Sequence, residues 1–176
     1  MADISVAERN NKAPHPTGKS VQEKNLATTR QVFANVCNSK DVESAHQAID
    51  TYFSKDFKVN RTPPGITPTI DGTKRWKIKV MEGFPDYQTQ IEDEFADGDR
   101  VVIRWRSSGT HLGEFQGIAP TGRKITVTGI TISRYADGQI AESWVGFDTQ
   151  DLMRQLGVVV DQDILCSKHS ADLGGA

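Results

Sequence analysis

The stretch from Asp99 to Asp148 constrains the fold of this chain more than any other. It reads as consecutive antiparallel strands that end at a helix start. Arg100–His111 is rich in β-branched and aromatic residues and opens after the turn pair Asp97-Gly98. Lys124–Tyr135 alternates Ile and Val with Thr and Ser along its length. Asp137-Gly138 is a hairpin signal, because a two-residue turn needs positive φ at its central positions. Gln139–Phe147 is then the returning strand. A meander of this length cannot leave its apolar face in water, so the first half of the chain must supply the cover.

That half reads as helices. Leu26, Phe33, Val36 and Cys37 form the stripe of an amphipathic helix from Gln22 to Cys37, broken by Asn38-Ser39-Lys40. Asp41 can cap a second helix, Val42 to Thr51, whose inward face is Val42, Ala45 and Ile49. Asp56–Asn60 is a short extended run that ends at Thr62-Pro63-Pro64-Gly65, since prolines remove ladder donors. A third helix runs from about Thr73 to Gly83, and a strand from Tyr87 to Phe95 leads into the meander. Gly113, Gly117, Pro120 and Gly122 shape the loop after His111. A last helix, Thr149 to Leu156, closes at Gly157. Helices followed by one curved antiparallel sheet make an α+β cone with a mouth. The expected organisation is a disordered arm over residues 1–20, one domain over 21–160, and a loose tail over 161–176.

Charge and composition exclude several classes. The formal charge of −2, from 21 basic and 23 acidic residues, gives no footprint for nucleic acid or an acidic membrane surface. No apolar run approaches the ~18 residues that read as a membrane-crossing helix, and Met1–Glu8 lacks the basic-then-apolar form of a secretory leader. Cys37 and Cys166 lack metal or disulfide spacing, which favours the cytoplasm. No two histidines have ligand spacing, so no metal is expected.

Gly83-Phe-Pro-Asp86, Gly98–Trp105, Gly109–Gly117, Pro120-Thr-Gly122, Arg134–Trp144, Asp148 and Gln155-Leu-Gly157 follow one another in a telling order. In that order and spacing they resemble the SnoaL-like polyketide cyclases, also called ester-cyclase-like proteins, of the nuclear-transport-factor-like superfamily. The likeness spans roughly Glu23 to Gly157. It implies a cone-shaped, cystatin-like α+β barrel that commonly forms a homodimer through its outer sheet face. It also implies cofactor-free intramolecular aldol closure of a polyketide ester, with an aspartate taking an acidic α-proton.

The family position of the base falls on Asp148, with Glu142 as substitute. By strand alternation Glu142, Trp144, Gly146 and Asp148 share one side of the last strand. If that side lines the cone, a carboxylate lies beside an indole, where desolvation raises its pKa towards neutrality. Asp148 followed by Asp151 reads equally as a helix cap. His111 shares its side with Ile103, Trp105, Ser107 and Gly109, and is read either as a proton donor or as a residue that orders the loop. Asn60 and Tyr52 are further donor candidates. Trp76, Phe84, Trp105, Phe115, Thr131 and Trp144 complete the expected wall of a hydrophobic pocket.

The expected function is therefore cofactor-free cyclase or isomerase chemistry on a small apolar or aromatic, keto-ester-like molecule. The alternative is a non-catalytic small-molecule binder, or a dimerisation module, on the same fold.

Overall fold

The computed structural model describes residues 19–158. The expected tail and all of the expected arm except Lys19 and Ser20 lie outside the described residues. The element order is α1 (Lys19–Val32), a π-helical turn (Phe33–Cys37), α2 (Val42–Tyr52), β1 (Phe53–Asn60), α3 (Ile70–Gly83), β2 (Gln88–Asp97), β3 (Arg100–Thr110), β4 (Lys124–Ala136), β5 (Gln139–Phe147) and α4 (Thr149–Leu156). The strands form one sheet in the order β1-β5-β4-β3-β2. All neighbours are antiparallel except β1 and β5, which are parallel. The fold is the expected α+β plan, with a curved sheet that stays open at β1 and β2.

Local chemistry sets the boundaries. Asp41 caps α2 by accepting from Ser44 N. Thr69 caps α3, which therefore begins a turn earlier than Thr73. Asp137 and Gly138 have φ of 51° and 78°, the doubly left-handed turn that joins β4 to β5. Gly157 closes α4 in the left-handed region at φ 84°.

The inner face of the sheet carries Val101, Ile103 and Trp105 on β3, Ile125, Val127 and Tyr135 on β4, and Ile140 on β5, all buried. Helix α1 lies over β2 and β3, and α4 lies over β4. Their buried Val32, Leu152 and Leu156 join that core together with Val36, Ile49, Phe84 and Phe115. Helix α4 also replaces a missing strand. Beyond the end of β5, the Gln155 side-chain amide accepts from Thr126 N at 2.7 Å and donates to Thr126 O at 2.9 Å, so the exposed ladder edge of β4 is paired.

One irregularity decides which side chains face inward. Tyr135 pairs with Ile140 and Arg134 with Glu142, so Ala141 is an extra residue in β5. A bulge of one residue reverses the alternation beyond it. Ile140 points in, but from there on the inward residues are Ser143, Val145 and Phe147, opposite Ser133, Thr131 and Gly129. Glu142 and Trp144, expected to line the cone, lie on the outer face.

Candidate functional site

Glu142 is held in an ion-pair cluster on that outer face. Asn60, which neighbours Trp144 across β1 and β5, donates from Nδ2 to Glu142 Oε1 at 2.9 Å. Arg134 Nε donates to Glu142 Oε2 at 3.3 Å. The Asn60 hydrogen bond, then Arg134, holds the Glu142 carboxyl below its ordinary range. That is the opposite of the upward shift expected beside an indole, because the group is hydrogen-bonded in its charged form rather than desolvated. Trp144 carries the Arg100 guanidinium over its ring at 5.5 Å. Asn60, Glu142 and Trp144 thus form one cluster, separated by the sheet from the inner face.

Asp148 stands where β5 gives way to α4. Its Oδ1 accepts from Asp151 N at 2.9 Å, which makes it the cap of α4. Its side chain is exposed, and its other oxygen takes no hydrogen bond from the described residues. It follows Phe147, whose partner across the sheet is Gly129, so the chain carries it to the end of the strip, one position past the last inward side chain.

His111 is fully buried just beyond β3. Thr121 N donates to its Nδ1 at 3.3 Å, and its ring is 5.2 Å from that of Phe84. The backbone N–H of His111 donates to Arg123 O, and its carbonyl accepts from Gly122 N, both at 2.9 Å. These contacts pin both ends of the loop, and burial pushes the imidazole below its ordinary pKa. His111 is six positions along β3 from Trp105, the partner of Gly129, roughly 20 Å of extended chain at about 3.3 Å per residue. The fold therefore does not bring His111 and Asp148 to a common ligand atom.

The remaining candidates separate in the same way. Phe84 and Phe115 are core residues packed edge to face at 5.0 Å, and the half-buried Trp76 leans on Phe115 at 5.5 Å. Tyr52 is half-buried at the end of α2, and its hydroxyl accepts from Asn35 Nδ2 at 3.1 Å. Trp105 and Thr131 do come together: Trp105 Nε1 donates to Thr131 Oγ1 at 3.0 Å. Two surface grooves are present, one of about 340 Å³ between the π-helical turn and α2, the other of about 460 Å³ beside β2. Neither is lined by any of the expected pocket residues.

What remains uncovered on the inner face is a strip of half-buried residues: Gly129, Thr131, Val145 and Phe147. Trp105 forms its floor, 6.3 Å from Phe147. The strip is apolar, carries one hydroxyl, and ends at Asp148. Period-two reading found Trp105 and Thr131, but Val145 and Phe147 were missed because the bulge gives no signal in the sequence. Among the described residues no three His, Cys, Asp or Glu side chains gather as a metal-ligand set. No described helix is long and apolar enough to cross a membrane.

The sequence pattern of the SnoaL-like polyketide cyclases matches residues 27–156. No curated protein matches the chain. Solved structures do. IdmH from Streptomyces antibioticus, described there as a candidate polyketide cyclase, is 30% identical, with a TM-score of 0.62 over 76% of this chain and 99% of that one. TsrD from Streptomyces laurentii is 25% identical, with a TM-score of 0.65 over 76% and 97%. A candidate SnoaL-like polyketide cyclase from Jannaschia sp. CCS1 has a TM-score of 0.70 over 82% and 99% at 20% identity, a likeness of fold. With most of its length matched by one family pattern, the chain belongs to the SnoaL-like polyketide cyclase family.

Proposed function

We propose that this protein carries out cofactor-free acid/base chemistry, of the cyclase or isomerase type, on an apolar keto ester held against the inner-face strip. One observation supports the reading most directly. The half-buried strip of Thr131, Val145 and Phe147, floored by Trp105, ends at a carboxylate with one oxygen left unengaged, that of Asp148. Removing an α-proton needs a base at the edge of an apolar surface and a group that steadies the resulting enolate. Asp148 is the base in this proposal. Glu142 is less suited, since Asn60 and Arg134 stabilise its charged form.

The test uses ethyl benzoylpropanoate, an aryl keto ester whose α-protons exchange slowly on their own, in heavy water with the full chain. Deuterium uptake followed by NMR should be accelerated by the wild-type protein. Asp148→Asn should lower that acceleration on the order of 100-fold, the scale of a lost general base, with little change in stability because Asn also caps helices. Acceleration that survives the substitution would remove Asp148 from the mechanism.

We also propose that two copies associate through their outer sheet faces. Phe95, Val102, Ile132 and Trp144 lie in register as an apolar row across β2, β3, β4 and β5. We place the protein in the cytoplasm, a reading supported by the free thiol of Cys37, which burial pushes up to about 11.

A further inference from the structure

The inner face of the sheet carries several hydroxyls, and most meet another hydroxyl. Thr89 Oγ1 lies 2.8 Å from Ser107 Oγ, Ser133 Oγ lies 3.2 Å from Ser143 Oγ, and Thr29 Oγ1 lies 2.7 Å from the Tyr135 hydroxyl. In such pairs either oxygen can accept, so one of the two protons is taken up inside the protein. Thr131 differs. Its partner is the indole N–H of Trp105, which is a donor and nothing else. The bond occupies a lone pair of Thr131 Oγ1 and turns the hydroxyl proton away from the indole. No described residue accepts that proton, and Thr131 is half-buried on the open strip.

The arrangement depends on its neighbour. A Cβ at Gly129 would lie 2.3 Å from Trp105 Cζ2 and 2.6 Å from Gly146 O. The bare backbone at this position therefore lets the indole rest against β4, with its N–H reaching Thr131 two residues on. The ring is held in place by a steric vacancy on one side and a hydrogen bond on the other.

We infer that Thr131 is the group that grips the ketone oxygen of the substrate, with Trp105 as the positioning residue that aims its hydroxyl. The inference rests on the reading of the strip as the reaction site and names the atom that would anchor the ligand there. When the α-proton leaves for Asp148, the electron pair of the C–H bond becomes the C=C bond of the enolate. The carbonyl π pair moves onto the ketone oxygen, and the Thr131 proton stays on Oγ1 while its hydrogen bond to that oxygen strengthens. A donor aimed in advance costs no reorganisation at that moment. The strip accordingly favours flat aryl ketones that lie against Val145 and Phe147 with the oxygen towards β4.

The experiment reads binding and not turnover. Ethyl benzoylpropanoate labelled at its ketone carbon is titrated into the full-length protein and its carbon resonance followed. Wild type should move that resonance downfield on binding, the signature of a hydrogen bond to the oxygen, and Thr131→Ser should preserve the shift. Thr131→Val, equal in shape, should abolish it and raise Kd about tenfold, equivalent to ~1.4 kcal/mol. Trp105→Phe should weaken the shift in the wild-type background and have little further effect in the Thr131→Val background. That coupling is expected of a residue acting through another, and a purely structural Trp would not produce it. An unchanged shift in Thr131→Val, or no shift in wild type, overturns the inference. The two readings fail separately. Asp148→Asn that keeps its exchange activity removes the base but leaves the carbonyl shift and its loss in Thr131→Val standing.

Discussion

At the scale of single residues, burial and hydrogen bonding decide what a titratable group can do. His111 shows it most clearly: it is fully buried, and its Nδ1 is committed to Thr121 N. Burial lowers its pKa in the folded state below the ordinary value near 6.5. The unfolded chain then binds more protons than the folded one as pH falls below that value. The contribution of His111 is therefore complete above about pH 6.5 and is lost as pH drops through the lower folded value. The carboxylates whose pKa values are lowered, Asp41, Asp86, Glu142 and Asp151, titrate in a more acidic range and do not contribute to this window. Urea unfolding at pH 7.5 and 5.5 should show wild type losing stability between the two. His111→Gln retains an acceptor for Thr121 N and should flatten most of that slope. An equal loss in both proteins would place the sensitivity elsewhere.

At the scale of elements, a single extra residue in β5 reassigns the site. Ala141 sets Glu142 and Trp144 outside and brings Ser143, Val145 and Phe147 in. Deleting Ala141 would remove the bulge and set Ile140 and Glu142 side by side opposite Tyr135 and Arg134, so plain alternation would keep Ile140 inside and Glu142 outside. The deletion variant should therefore fold, with the Arg134–Glu142 pair and the inward Ser143, Val145 and Phe147 kept, and its urea midpoint should shift only by the lost local twist. A variant that fails to fold would mean that the sheet depends on the extra twist the bulge supplies. The elements themselves were legible in the sequence. Asp41 marked the start of α2, Asp137-Gly138 the hairpin, and Gly157 the end of α4, because each has a local chemical signature. The site was less legible. Trp105 and Thr131 lie on β3 and β4, where alternation holds unbroken, so their inward direction could be read. Beyond Ile140 it could not, because a bulge arises from how β4 and β5 twist together and no residue type announces it. The parallel pairing of β1 with β5 was equally hidden: it joins segments distant in sequence, and nothing in Asp56–Asn60 specifies a partner.

At the scale of the whole molecule, the question is what covers the outer face of the sheet. Phe95 on the edge strand β2 is 59% and Ile130 on the central strand β4 51% exposed there, a large exposure for apolar side chains on a sheet face. Charged groups on the same face are engaged within the chain, three arginines with two glutamates. Glu92 binds Arg104 and Arg106, and Glu142 binds Arg134. A second copy would therefore meet apolar rows beside ion pairs that carry one arginine charge in excess, so added salt should favour the contact between the two faces. Size agrees. A sheet of this many strands is about 24 Å wide at ~4.8 Å per strand and roughly 30 Å long. That gives on the order of 700 Å², close to the ~800 Å² per partner of a standard interface. Sedimentation should give wild type twice the mass of one chain at micromolar concentration. Phe95→Lys should weaken association at least tenfold, since it places an unpaired charge in a row of apolar contacts. Its own folding should change little, because Phe95 is exposed in the single chain and surface substitutions are usually within about 0.5 kcal/mol. Wild type sedimenting as a monomer at ~100 μM would mean that the outer face serves no self-association, and that Phe95 and Ile130 are exposed for another reason.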